Sequence, residues 1–195
     1  MTMKLLHLDA SSLGQHSVSR ELSAAIVNQL AREIPSLEIT YRDLTAQPLP
    51  HWTPVLDAES AAAQLGQQVM DEFKAADVIV IGAPMYNFSI PSQLKAWIDR
   101  IVVAGQTFRY TENGPQGLAT GKRVILASSR GGVYSSGPAA GLDFQESYLR
   151  AVLGFIGITD VEFVRAEGVN MSAEHKVKAV ASARDSIGTL ITKAA

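Results

Sequence analysis

The chain has 195 residues, 47% of them hydrophobic, and its 17 basic and 19 acidic side chains leave a net charge of −2. That length buries one sizeable core and falls short of two, so residues 1–195 are expected to form a single domain. Balanced charge without a basic block argues against a nucleic-acid or anionic-membrane partner, and the absence of cysteine excludes disulfides, thiolate metal sites and cysteine nucleophiles.

The predicted elements alternate. Leu5, Leu6 and Leu8 form a first strand that runs into a serine-rich loop. Leu22, Ile26 and Leu30 then recur at the four-residue spacing of an amphipathic helix. Ile39 to Tyr41 is a short second strand, followed by a proline-rich connection from Gln47 to Asp57. A second helix carries Leu65, Val69, Phe73 and Ala76, with Gly66 inside it.

Val78 to Ile81 is an unbroken β-branched run, the pattern of a central strand covered on both faces. Pro91 suits the first turn of a third helix, which continues through Leu94, Trp97, Ile98 and Ile101. Val124 to Ala127 is a fourth strand, Phe144 to Phe155 holds a fourth helix, and Val161 to Val164 is a fifth strand. The last helix is capped by Ser172 and carries Val177, Val180, Ile187 and Ile191. No run approaches the ~18 apolar residues of a membrane span, so a soluble, cytoplasmic protein is expected.

Five strands alternating with five helices imply an α/β, doubly wound parallel sheet with helices on both faces. At this length the flavodoxin-like order 2-1-3-4-5 is the economical topology. Ligands of such sheets sit beyond the carboxyl ends of the strands, so the loops after the first, third and fourth strands hold the candidate site.

The first of these loops places Ser11, Gly14, Ser17 and Ser19 immediately before a helix. Hydroxyls and unpaired first-turn amides there favour a phosphate. The dinucleotide fingerprint is missing, and the nearest approach to a P-loop, Gly117 to Arg123, has Arg123 where a magnesium-binding hydroxyl is required. A phosphate held without metal or lysine suits a retained mononucleotide such as FMN better than a nucleoside triphosphate. Serines also cap helices and populate turns, and this loop alone leaves both readings open.

The second loop brackets Met85, Tyr86, Asn87 and Phe88 between Pro84 and Pro91. Its bulky groups can cover the faces of a flat ring system while amides near Asn87 meet the polar edge; packing under a neighbouring loop is the other reading. In the third loop, the adjacent Gly131 and Gly132 let the main chain approach a ligand or make a plain turn. Tyr86, His16 and His51 are available for acid–base chemistry, but His16 reads more simply as lying near the phosphate, His7 as a strand residue and a lone loop histidine as solvated, so none is assigned, and no metal site is expected.

These segments carry a resemblance. Ala83 to Phe88 with Pro91 and Leu94-Lys95, Thr107-Phe108 with Arg109 to Pro115, Gly121-Lys122, Ser129 to Gly132 and Leu153 to Ile158 are similar to the bacterial FMN-dependent NADH:quinone reductases, also called NADH-azoreductases. The likeness spans nearly the whole chain.

It implies that Ser11 and Ser17-Val18-Ser19 hold the FMN phosphate. It also implies that Met85, Tyr86, Asn87 and Phe88, with Ser129, Arg130, Gly131 and Gly132, contact the isoalloxazine. NADH or NADPH would be the hydride donor, quinones and azo compounds the acceptors, and a homodimer the working form. The segment from Gln47 to Pro54, with Trp52, is more compact than in many family members, which leaves acceptor preference open. A flavodoxin-type electron carrier and a flavin sensor without turnover are the competing classes.

Overall fold

In the computed structural model, which describes residues 2–54 and 57–191, five parallel strands form one sheet. In chain order the elements are β1 (Lys4–Asp9), α1 (Val18–Glu33), β2 (Glu38–Asp43), α2 (Ala61–Ala75), β3 (Val78–Pro84), α3 (Ser92–Ile101), β4 (Phe108–Thr111), β5 (Gly114–Gly117), β6 (Arg123–Ser129), α4 (Phe144–Phe155), β7 (Asp160–Ala166) and α5 (Ala173–Ile191). The sheet runs β2-β1-β3-β6-β7, the 2-1-3-4-5 order once the β4–β5 hairpin is set aside. Met1, Val55, Leu56 and residues 192–195 lie outside the described residues, as does the side chain of the expected core position Ile191.

Alternation along each strand divides the core in two. Leu6, Leu8, Ile79, Ile81, Val124 and Leu126 face α2, α3 and α4, where they meet Phe73, Trp97, Leu149 and Leu153. Leu5, Val78, Val80, Ile125 and Val164 face α1 and α5, against Leu22, Ile26, Leu30, Ala183 and Ile187. Every residue of β3 is buried, as a central strand with helices on both sides requires.

Some sequence expectations need correction. Val177 is 69% exposed, so the buried stripe of α5 runs instead through Ala183 and Ile187, with Ala179 and Val180 at its margin. Pro91 is the N-cap of α3, one residue before its first turn, and Ala76 is buried just past the end of α2. Ser172 does cap α5: its hydroxyl accepts from the His175 amide at 3.0 Å.

The hairpin was not foreseen. It leaves the sheet after α3 and docks where Gly117 meets the turn that ends α4; the Ala119 amide donates to the Ile156 carbonyl at 2.8 Å. A Cβ on Gly117 would lie 2.2 Å from the Gly157 nitrogen. Backbone meets backbone there, so no side chain can give way. Gly117→Ala should therefore cost about 2–3 kcal/mol, read as a lower urea midpoint. An unchanged midpoint would mean that the hairpin is not packed this closely.

Candidate functional site

Because β1, β3 and β6 are neighbours and parallel, their carboxyl ends open on one rim, and direct bonds join the loops that leave them. The loops after β1 and β3 meet through Tyr86. Its hydroxyl accepts from the Ser12 amide at 3.1 Å and pairs with the hydroxyls of Ser12 at 3.0 Å and Ser11 at 3.3 Å. Burial pushes the phenol up, but these bonds outweigh it and hold Tyr86 below the ordinary tyrosine value. The loops after β3 and β6 meet where the Met85 amide donates to the Ser129 carbonyl at 2.8 Å. The rings of Phe88 and Tyr134 also touch edge to face at 6.1 Å.

The loop after β1 enters α1 through Ser17, whose side chain accepts from the Arg20 amide. Ser11, Ser17, Val18 and Ser19 are all buried. The Ser17 and Ser19 hydroxyls lie 3.1 Å apart. One hydroxyl proton serves that bond; the other has no acceptor among the described residues. The first-turn amides at Val18 and Ser19 precede any intrahelical acceptor. Unsatisfied donors at the positive end of a helix dipole fit the phosphate of FMN.

Arg20 packs behind this loop. It donates to the Ser11 carbonyl from Nε at 3.1 Å and from Nη2 at 2.8 Å. It also grips both Asp43 oxygens at 2.6 and 2.7 Å. The Arg20 guanidinium, with bonds from Thr45 and the Ala46 amide, holds the Asp43 carboxyl well below the usual range.

Next to this pair, Asp9 accepts from Ser23 at 2.8 Å and Tyr41 at 3.1 Å. Gly82 makes room for it, since a Cβ there would fall 2.2 Å from Asp9 Oδ1. His7 is a buried strand residue bonded to Ser23.

The loop after β3 is a tight two-residue turn. Tyr86 and Ser89 exchange backbone bonds of 2.9 and 3.0 Å, and between them Asn87 and Phe88 have φ of 48° and 71°. Two consecutive non-glycine residues in the left-handed region are costly. Asn87 and Phe88 are exposed and Met85 and Tyr86 half-buried, so the turn presents a mixed apolar and amide tip at the rim.

In the loop after β6, the Ser129 backbone contributes to the rim while the Arg130 side chain is buried below it. The Arg130 guanidinium bonds Ser128, Asp143, Glu146 and Glu167, which fixes the loop and leaves no fork for a ligand. Gly131 and Gly132 have their own packing reasons as well. A Cβ on Gly131 would lie 2.8 Å from Asn170 Nδ2, and one on Gly132 3.3 Å from the Tyr134 ring.

His16 and His51 are exposed. Trp52 lines a cleft with Met70, Arg100 and Val103 that none of the three loops enters. Among the described residues no group of His, Cys, Asp and Glu is placed to hold a metal, and no helix is long and apolar enough to cross a membrane.

Sequence reasoning passed over Arg20, Asp43, Thr45, Tyr134 and Glu167. Only Asp43 carried a readable signal. The Asp-x-Thr spacing at a strand end suits an Asx turn, and here the Thr45 amide donates to Asp43 at 2.9 Å.

Residues 3–191 match the family described by its flavodoxin-like fold. An FMN-dependent NADH:quinone oxidoreductase of Rhizobium meliloti (strain 1021) is 57% identical over 196 residues, 95% of each chain. One of Stenotrophomonas maltophilia (strain K279a) is 60% identical over 183 residues, covering 93% of this chain and 92% of that one. The azoreductase of Bacillus anthracis str. Sterne superposes with a TM-score of 0.89 at 30% identity, over 98% of this chain and 99% of that one. An FMN-dependent NADH-azoreductase of B. anthracis str. Ames Ancestor, solved in complex with FMN, gives 0.84 at 26% identity, over 96% and 99%.

Glu167 supplies a test of the third loop. Burial pushes its carboxyl up, but the Ser135 hydroxyl, the amides of Tyr134 and Ser135 and the Arg130 charge hold it below 4.5. A depressed carboxyl stabilises the fold fully above its unfolded value, and that contribution is lost as pH falls through the folded value. Taken from about pH 6 to about pH 3, the protein should therefore lose more stability than its Glu167→Gln variant. Equal losses in chemical denaturation would remove Glu167 from the support of this loop.

Proposed function

The chain belongs to the FMN-dependent NADH:quinone oxidoreductases of flavodoxin-like fold, and from that premise we propose how its residues serve hydride transfer from NADH to quinones and the reductive cleavage of aromatic azo bonds. One observation carries the reading: three loops, bonded to one another, meet on a single rim where a phosphate-compatible helix start lies beside an aromatic turn. FMN held there would supply the redox chemistry between the nicotinamide and the acceptor.

The protein's part is to hold and to exclude. Ser11 and Ser17-Val18-Ser19 anchor the phosphate. Met85, Tyr86, Asn87 and Phe88, with the backbone from Ser129 to Gly132, would contact the ring system. Amides near Asn87 and Gly131 would offer hydrogen bonds to the polar edge of the ring system, as an oxyanion hole does. No side chain is assigned to proton transfer, and the Tyr86 hydroxyl is a tether between loops. Phe88 and Tyr134 keep water from the ring edge. Donor and acceptor use the same open face in turn, which makes the kinetics ping-pong.

A second copy of the chain completes the pocket. Phe88 and Phe144 are exposed, and the Phe144 amide donates to the Phe88 carbonyl at 3.1 Å; exposed large aromatics on neighbouring backbone support an interface there. The whole chain, 1–195, acts as one domain in each protomer, and dependence on NADH suits the cytoplasm.

An anaerobic, FMN-loaded sample should lose its visible flavin absorbance on adding NADH and regain it on adding a benzoquinone. A flavin that stays oxidised with both NADH and NADPH would reduce the protein to a carrier or sensor. Light scattering should return twice the chain mass, and a Phe144→Glu variant should shift it toward one. A monomeric native protein would end the dimer proposal.

A further inference from the structure

One residue holds both ends of the phosphate loop. The Arg20 amide donates to the Ser17 hydroxyl at 3.3 Å, and its guanidinium closes on the Ser11 carbonyl with two bonds, at 2.8 and 3.1 Å. Behind it stands the end of β2: Asp43 accepts in bidentate fashion, and Thr45 Oγ1 accepts from Nη2 at 2.6 Å. Thr45 in turn donates to Asp43 at 2.8 Å. The Arg20 and Asp43 side chains are 15% and 20% exposed, so solvent screens the pair only in part.

An arginine in the first turn beside a phosphate site invites the assignment of direct ligand. The geometry argues otherwise. With a further contact to Tyr41 at 3.4 Å, all three guanidinium nitrogens have partners inside the protein, and Asp43 balances the charge. A planar fork held this way is a template for the carbonyl it touches.

We propose that Arg20, seated on Asp43 and Thr45, is the positioning residue that sets the FMN phosphate loop through the Ser11 carbonyl. This rests on the reading that the loop holds that phosphate. The two roles predict opposite signs for one substitution. Asp43→Asn removes a negative charge near a phosphate dianion, so electrostatics alone would tighten FMN binding. If Asp43 holds the clamp, binding weakens.

The test is a fluorescence titration of the full-length, flavin-stripped chain with FMN and with riboflavin, which lacks the phosphate. The native protein should prefer FMN. Asp43→Asn should lower FMN affinity about tenfold or more, the scale of one charge-assisted hydrogen bond, and leave riboflavin affinity unchanged. General damage would lower both together, so a parallel loss overturns the proposal, as does FMN binding that is unchanged or tighter.

Should Asp43→Asn not fold, Arg20→Lys decides on the same readout. It keeps the charge and loses the fork, so retained preference for FMN would overturn the clamp and collapse of the preference would support it. Ser17→Ala with Ser19→Ala separates the two levels of argument. If that variant and the native protein bind FMN and riboflavin alike, the phosphate-loop reading has failed and the clamp with it. If the serine variant loses the preference and Asp43→Asn keeps it, the clamp alone has failed.

Discussion

Because β1, β3 and β6 lie side by side and point the same way, the chain must leave all three at one rim and cross that rim by loops before it can return. The hydrophobic core follows from the same constraint: a parallel sheet needs helical crossovers, and these cover both faces. The site needs no separate device to bring its parts together. What the loops require is a means of staying in register with one another, since the strands below fix only where each begins.

That register is supplied by polar side chains placed just under the rim. Arg20 ties the first loop to the end of β2, Tyr86 ties the first loop to the second, and Gln145 joins Ser128 to the Ala83 carbonyl beneath the second and third. Arg130 draws in three carboxylates from α4 and its surroundings. Buried guanidinium–carboxylate groups add little net stability, because desolvation offsets most of their attraction. Their directional bonds do select one arrangement among several of similar energy, and a site that works by holding a flat cofactor depends on that selection.

The succession of strands and helices was legible in the sequence because apolar runs and four-residue helical spacing report burial directly, and the sheet order followed from that succession and the chain length. Where burial is incomplete the pattern weakens. Ile39 and Tyr41 on the edge strand are 45% and 53% exposed, and β4 and β5 are four residues each, with Tyr110 76% exposed, so the hairpin left no alternation to read. Val177 shows the converse, an apolar residue at helical spacing whose position on α5 faces water. Among the candidate residues, Ser17 and Ser19 stood out because a helix start favours local hydroxyl chemistry. The Arg20–Asp43 pair and the Arg130 cluster did not, since they join residues 23, 13, 16 and 37 positions apart through side-chain geometry alone. Arg130 stands in a segment read as flavin contact, and its guanidinium works beneath it.

The turn at Asn87 and Phe88 shows how such support is used. A phenylalanine with φ of 71° would relax to the extended or right-handed region if its neighbours allowed it. They do not: Tyr86 and Ser89 lock the turn by a pair of backbone bonds, Phe144 fixes the Phe88 carbonyl, and Tyr134 meets the ring. The Phe144 and Tyr134 contacts come from two other segments, so the strained conformation is held from outside as well as by the turn's own backbone bonds. Strain held in this way concentrates at working sites, because the geometry needed by a ligand then exists before the ligand arrives. Such preorganisation is what a protein can contribute to a reaction whose bond chemistry belongs to the cofactor.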